Sequence, residues 1–142
     1  DVMPRMKKKE RKPASKVVWC NHGWLPVYFG FCPDERAWRR EMKRLGVQKE
    51  AYPKSDGMMT LIESNGEPHA IVTVSDDHDM SDPIRTVGTI FHESAHVWQM
   101  MRKYIGEDKP SKEFEAYALQ NIATELFKAY ANTRASKGKN KR

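Results

Sequence analysis

Several things are scarce in this 142-residue chain, and each scarcity narrows what it can be. It has two cysteines, Cys20 and Cys32. That is too few for a disulfide framework and fits two reduced thiols in a cytoplasmic protein. No stretch approaches the roughly 18 apolar residues that a membrane span needs, so no membrane role is expected. The basic N-terminal segment is not followed by the apolar run of a signal peptide. No internal repeat is visible. There are five histidines, and none follows His96.

The net charge of +6 is unevenly placed. Residues 1–16 carry seven Lys/Arg against two acids, and residues 134–142 carry five against none. The stretch between, 17–133, holds thirteen bases and seventeen acids. The expected organisation is one domain, 17–133, between two flexible basic tails, 1–16 and 134–142. Such tails either solubilise the protein or attract nucleic acid non-specifically.

Local patterns give an order of elements. Lys16–Cys20 and Leu25–Phe31 read as strands around the turn residues Asn21-His22-Gly23. Asp34 is an N-cap for a surface helix that runs to Leu45 and stops at Gly46. Met58–Glu63 and Ala70–Val74 flank Asn65-Gly66, the strongest short hairpin signal. The acidic run Asp76-Asp77-His78-Asp79 reads as a solvated loop. Asp82-Pro83 starts a helix that runs to about Tyr104, with Gly106 as its stop. Ser111 caps a last helix. The order β-β-α-β-β-α-α predicts an α+β domain with a small, mostly antiparallel sheet, an N-terminal surface helix and two packed C-terminal helices.

The chemistry concentrates in His92-Glu93-Ser94-Ala95-His96. Histidines four apart on a helix project from one face, so two ring nitrogens can reach one metal ion. Glu93, about 100° round the helix, can reach a water on that metal. The expected buried stripe is Ile84, Val87, Phe91, Ala95 and Trp98, with Gly88, His92 and His96 beside it. A catalytic zinc takes three protein ligands. With no later histidine the third must be acidic: Glu107, Asp108, Glu113, Glu115 or Glu125. Extending the stripe Leu119, Ile122, Leu126, Ala129 back one turn reaches Glu115, and an acid on an apolar face needs a partner. If the preceding helix reaches Tyr104, though, His96 lies roughly 12 Å below its end, so that helix must stop early or the loop must fold back.

His92-Glu93-x-x-His96, eighteen residues, then Glu115-Ala116-Tyr117-Ala118 resembles the gluzincin metallopeptidases over residues 84–125. The surrounding His96-Val97-Trp98-Gln99 resembles small phage or prophage proteins, which would place the chain in the host cytoplasm. The resemblance implies a zincin-like fold, Zn2+ held by His92, His96 and Glu115, and Glu93 as general base. It also implies a protein or peptide substrate laid along an edge strand, here expected at 69–75. His69, His78, Tyr117 and Tyr130 are candidates to steady the oxyanion. The alternative functions are a nucleic-acid-associated protein, or a binder of a host factor with a non-catalytic zinc.

Overall fold

The computed structural model describes residues 14–79 and 81–135. Most of both expected tails, 1–13 and 136–142, lies outside them. The chain forms β1 (Val18–Trp19), β2 (Tyr28–Phe31), α1 (Glu35–Arg44), β3 (Gly57–Ser64), β4 (Glu67–Val74), α2 (Pro83–Ile105) and α3 (Lys112–Tyr130), closing with a π-helical turn, Ala131–Ala135. This is the α+β order expected.

The local signals act as their chemistry requires. Asp34 accepts the Ala37 N–H at 2.9 Å, Asp82 the Arg85 N–H at 3.1 Å and Ser111 the Phe114 N–H at 3.3 Å. Each satisfies an amide that has no partner inside its helix. Gly106 ends α2 at φ +70°, a left-handed conformation that costs glycine little. Asn65 and Gly66 both have positive φ, as a two-residue hairpin turn demands.

The sheet order is β1-β2-β4-β3. β1 pairs antiparallel with β2, and β3 with β4, whereas β2 and β4 run parallel. A parallel pair needs a crossover, and α1 lies within it. The β4 stretch 68–74 is therefore central and buried along its length, and β1 and β3 form the edges. This corrects the expectation that 69–75 is an edge. Ala-Ile-Val-Thr-Val is a nearly unbroken apolar run because both faces of β4 are covered.

Ile71 and Ile62 pack with Ala37, Trp38 and Met42 under α1. Phe29, Phe31, Ala70, Val72 and Val74 face the other way, into the main core. There they meet Ile90, Val97 and Met101 of α2 and Ile122, Leu126 and Ala129 of α3. The buried lane of α2 is Thr86, Ile90, Ser94, Val97, Trp98 and Met101, with Glu93 beside it. The expected stripe is thus mostly displaced: Ile84 is 84% exposed, Phe91 52% and Val87 47%, and only Trp98 is buried.

Two polar groups expected at the surface are inside. His78 is buried, its Nε2–H donating to Asp56 at 2.9 Å. Arg134 is docked rather than trailing. Its guanidinium donates to the carbonyls of Val74 (2.8 Å) and Ser75 (2.7 Å), closing the end of β4.

Both cysteines are free thiols. Burial pushes Cys20 up to about 12, with the charge of Glu125 adding to it. Burial likewise raises Cys32 to about 12, against the opposing effect of a backbone hydrogen bond from Asp34. The fold therefore favours the neutral thiols. Their stabilisation is complete below the ordinary thiol value near 9 and drains away as pH rises toward 12. In urea titrations the midpoint should fall more steeply over that window in wild type than in a Cys20→Ala/Cys32→Ala protein. Equal slopes would show that the thiols contribute nothing.

Candidate metal and active site

The rotation of α2 is set by what its sides touch. Ile90, Val97 and Met101 face the sheet, and Trp98 turns toward α3. Glu93 faces β3. The residue is only 5% exposed, and its carboxylate faces the backbone N–H of Met59. Burial pushes the Glu93 carboxyl above its usual range, while His92, His96 and the Met59 N–H oppose the rise. A carboxylate so placed holds a proton more readily than one in water.

His92 and His96 lie one lane further out and are exposed. Their Nε2 atoms are 3.2 Å apart, with the rings edge to face at 4.8 Å between centroids. Two nitrogens bound tetrahedrally to one ion at 2.0–2.1 Å stand about 3.3 Å apart, so this pair is spaced as two ligands of one zinc. The far side of His96 supports the same reading. Its Nδ1 is 3.0 Å from Gln99 Oε1. An amide oxygen there takes the Nδ1–H and leaves the Nε2 lone pair facing His92, as an outer partner of a metal-bound histidine does. The two histidines fit the ion.

Glu115, in the position it holds, does not. Its Oε2 accepts the Trp98 indole N–H at 2.9 Å and lies 3.8 Å from an Arg102 nitrogen. Trp98 follows His96 by two residues, about 200° round the helix, so α3 brings Glu115 to a different side of α2. α2 does not end early, continuing to Ile105; instead the loop folds back, its Glu107 and Asp108 carbonyls accepting from Arg102, and it carries Glu115 to the level of Trp98 but to another side of α2 than His96. The partner that an acid on the apolar side of α3 requires is the indole and guanidinium pair. Of the other acids considered, Glu125 lies near Lys128, at 3.8 Å. The carbonyls of Glu107 and Asp108 accept from Arg102. Among the described residues no group of three or more His, Cys, Asp or Glu side chains converges as a metal cage.

A cleft of about 430 Å³ opens beside the pair, lined by Asp56, Gly57, Arg85, Gly88, Thr89, His92 and Glu93. A larger one, about 650 Å³, lies between α1 and the 46–54 segment and shares none of these residues. The oxyanion candidates do not line the histidine cleft. His69 is buried and stacked on Tyr28, Tyr130 is in the core, and His78 is occupied by Asp56 and Thr86. Tyr117 is exposed on α3. What sequence reasoning missed is Arg85, together with Asp56 and Thr89. Arg85 is seven residues before His92 and so on its face, a spacing that could have flagged it. Asp56 comes from a distant segment and accepts from Arg85, from His78 and, at 3.3 Å, from Thr89. Its slight burial disfavours ionisation, but His78 and Arg85 outweigh that and hold it below the usual carboxylate range.

Comparison with known proteins places nothing beside this site: no family, no curated protein and no solved structure matches the chain.

β3 comes tight against the side chains of α2 at Gly57. A methyl there would stand 2.6 Å from Thr89 Cγ2 and 3.1 Å from Glu93 Oε1. Gly57→Ala should therefore push β3 from α2 and cost about 1–3 kcal/mol in urea unfolding, the usual range for overpacking. An unchanged unfolding midpoint would mean that this approach is looser than described.

Proposed function

We propose that this chain is a zinc-dependent hydrolase of peptide bonds, with His92 and His96 holding the ion and Glu93 as the base. The observation that carries the reading is the 3.2 Å Nε2–Nε2 separation, backed by Gln99 behind His96. Bound zinc would supply a water acidified to a pKa of about 7 and polarise the scissile carbonyl.

The residues of the chain supply the rest. Glu93 takes the proton of the attacking water on its carboxylate and returns it to the leaving amine. Its burial raises its proton affinity, which suits a group that must accept and then release. Gln99 keeps His96 in one tautomer. β3 offers the substrate an edge. The Met59 N–H points outward to Glu93, so the N–H and C=O of alternate residues Leu61 and Glu63 also point away from β4. An extended peptide can pair with such an edge.

The gluzincin-like ligand set additionally needs Glu115, which would have to give up Trp98 and Arg102 to join. Metal content of purified protein tests the whole set. Wild type should hold about one zinc per chain, His92→Ala should lose it, and Glu93→Gln should keep it while losing turnover. Glu115→Gln should weaken zinc about 10-fold or more, and zinc should change the fluorescence of wild type but not of Trp98→Phe. Wild-type affinity in Glu115→Gln would leave Glu115 as a partner of Trp98 alone. No zinc in wild type, even when offered, would end the hydrolase reading.

A second reading, attraction to nucleic acid, gains one observation beyond the tails. α1 exposes Arg36, Arg39, Arg40, Lys43 and Arg44 within three turns. Phosphate contacts there predict binding to a DNA duplex that falls steeply with salt and weakens in an Arg36→Ala/Arg40→Ala protein. Salt-independent binding would exclude it.

A further inference from the structure

β3 and α2 run side by side in the same direction. Gly57 lies against Thr89 and Glu93, the Met59 N–H faces Glu93, and the Glu63 carboxylate accepts the Tyr104 hydroxyl at 2.7 Å. Six strand residues and fifteen helix residues each span about 20 Å, so the two stay in step. His92 stands along the groove between them, lining the cleft at its Gly57 end, with His96 one turn further on. A cleft opens toward each end: the one already described, near Arg85, and a second of about 390 Å³ lined by Leu61, Glu63, Met100, Lys103 and Tyr104.

The two clefts differ in what they leave unsatisfied. In the first, Asp56 already receives Arg85, His78 and Thr89. Apart from His92 and Glu93 of the proposed metal site, its remaining wall is Gly57 and Gly88, so beyond those two it offers room for backbone or a small side chain and little to grip. In the second, Leu61, Met100 and the Tyr104 ring make an apolar wall, and Tyr104 takes up Glu63. Lys103 lines the same cleft and is exposed, and it makes no ion pair with any described residue. An apolar wall beside an unpaired ammonium complements a large apolar side chain with a carboxylate next to it. Lys103 is seven residues beyond His96, roughly 10 Å along the helix, the length of about three residues of extended chain.

We propose that the groove selects an extended peptide whose large apolar residue, flanked by an acidic one, seats in the Leu61–Met100–Tyr104 cleft about three residues from the histidines. Its backbone pairs with the outward N–H and C=O groups of Leu61 and Glu63 on β3, and Lys103 pairs with its carboxylate. This rests on the peptide-hydrolase reading and adds to it a substrate class.

Binding tests it without requiring turnover. The full chain carrying Glu93→Gln is used to select from a displayed library of random twelve-residue peptides. Enriched peptides should share a large apolar residue beside Asp or Glu. A synthetic peptide of that consensus should bind the same protein and lose about tenfold or more with Lys103→Glu, an exposed position where folding is not at stake. Tyr104→Ala should relax the apolar preference while keeping the acidic one. No enrichment, a consensus without the apolar and acidic pair, or affinity indifferent to Lys103→Glu would each overturn the proposal. Zinc content remains a separate readout, so a protein that binds these peptides but no zinc would sink the hydrolase reading and leave the groove.

Discussion

The carboxylate of Glu93 under the edge of β3 is the constraint on which the site depends. A buried carboxylate is costly unless donors meet it, and the Met59 N–H is such a donor. Meeting that donor goes with one rotation of α2. With Glu93 turned to β3, Ile90, Val97 and Met101 turn into the core, and Trp98 turns to α3. His92 and His96 are then left on the open side, exposed to solvent. Gly57 belongs to the same constraint, since any side chain there would occupy the space that Thr89 and Glu93 fill.

That rotation also explains the fate of Glu115. A helix cannot present His96 and Trp98 to the same neighbour, because two residues take the chain more than halfway round. α3 packs where the large indole is, for Trp98 with Phe114 provides more buried area than a histidine face would. Glu115 therefore meets Trp98 and Arg102, and burial of its stem is matched by a hydrogen bond and a nearby cation. A metal would have to outcompete both contacts to recruit it.

Signals that act over a few residues were legible in the sequence. Asp34, Asp82 and Ser111 cap the helices they precede, Gly106 stops α2, and Asn65-Gly66 turns the hairpin. The placing of His92 and His96 on one face followed from spacing alone. What failed were choices that depend on the rest of the chain. α2 has more apolar residues than its buried lane can hold, so periodicity admitted two lanes, 84-87-91 and 90-94-97-101. The sheet took the second, leaving Ile84, Val87 and Phe91 outside. The 69–75 run was misplaced for a related reason. An unbroken apolar strand is the mark of a central position, and its parallel partner β2 lies some forty residues earlier in the chain. Arg85 was readable from its seven-residue offset. Asp56 and His78 were not, because their pairing closes a contact between loops that no local pattern announces.

The histidine pair shows how little of the proposed metal site would depend on tertiary packing. His92 and His96 sit on rigid helix, so their separation needs no folding event beyond α2 itself. Gln99 lies on the same helix, three residues beyond His96, and its amide oxygen favours one tautomer. Three of the groups that would handle an ion are thus carried by eight consecutive residues, 92–99. The groups that would handle a peptide are not. They come from β3 and from both ends of α2, and they meet only because strand and helix run in step for about 20 Å. On the proposed function, ion binding would depend on local helix and recognition on tertiary packing. Loosening the β3–α2 seam should impair the second while sparing the first, a separation that a site built entirely from distant segments could not show.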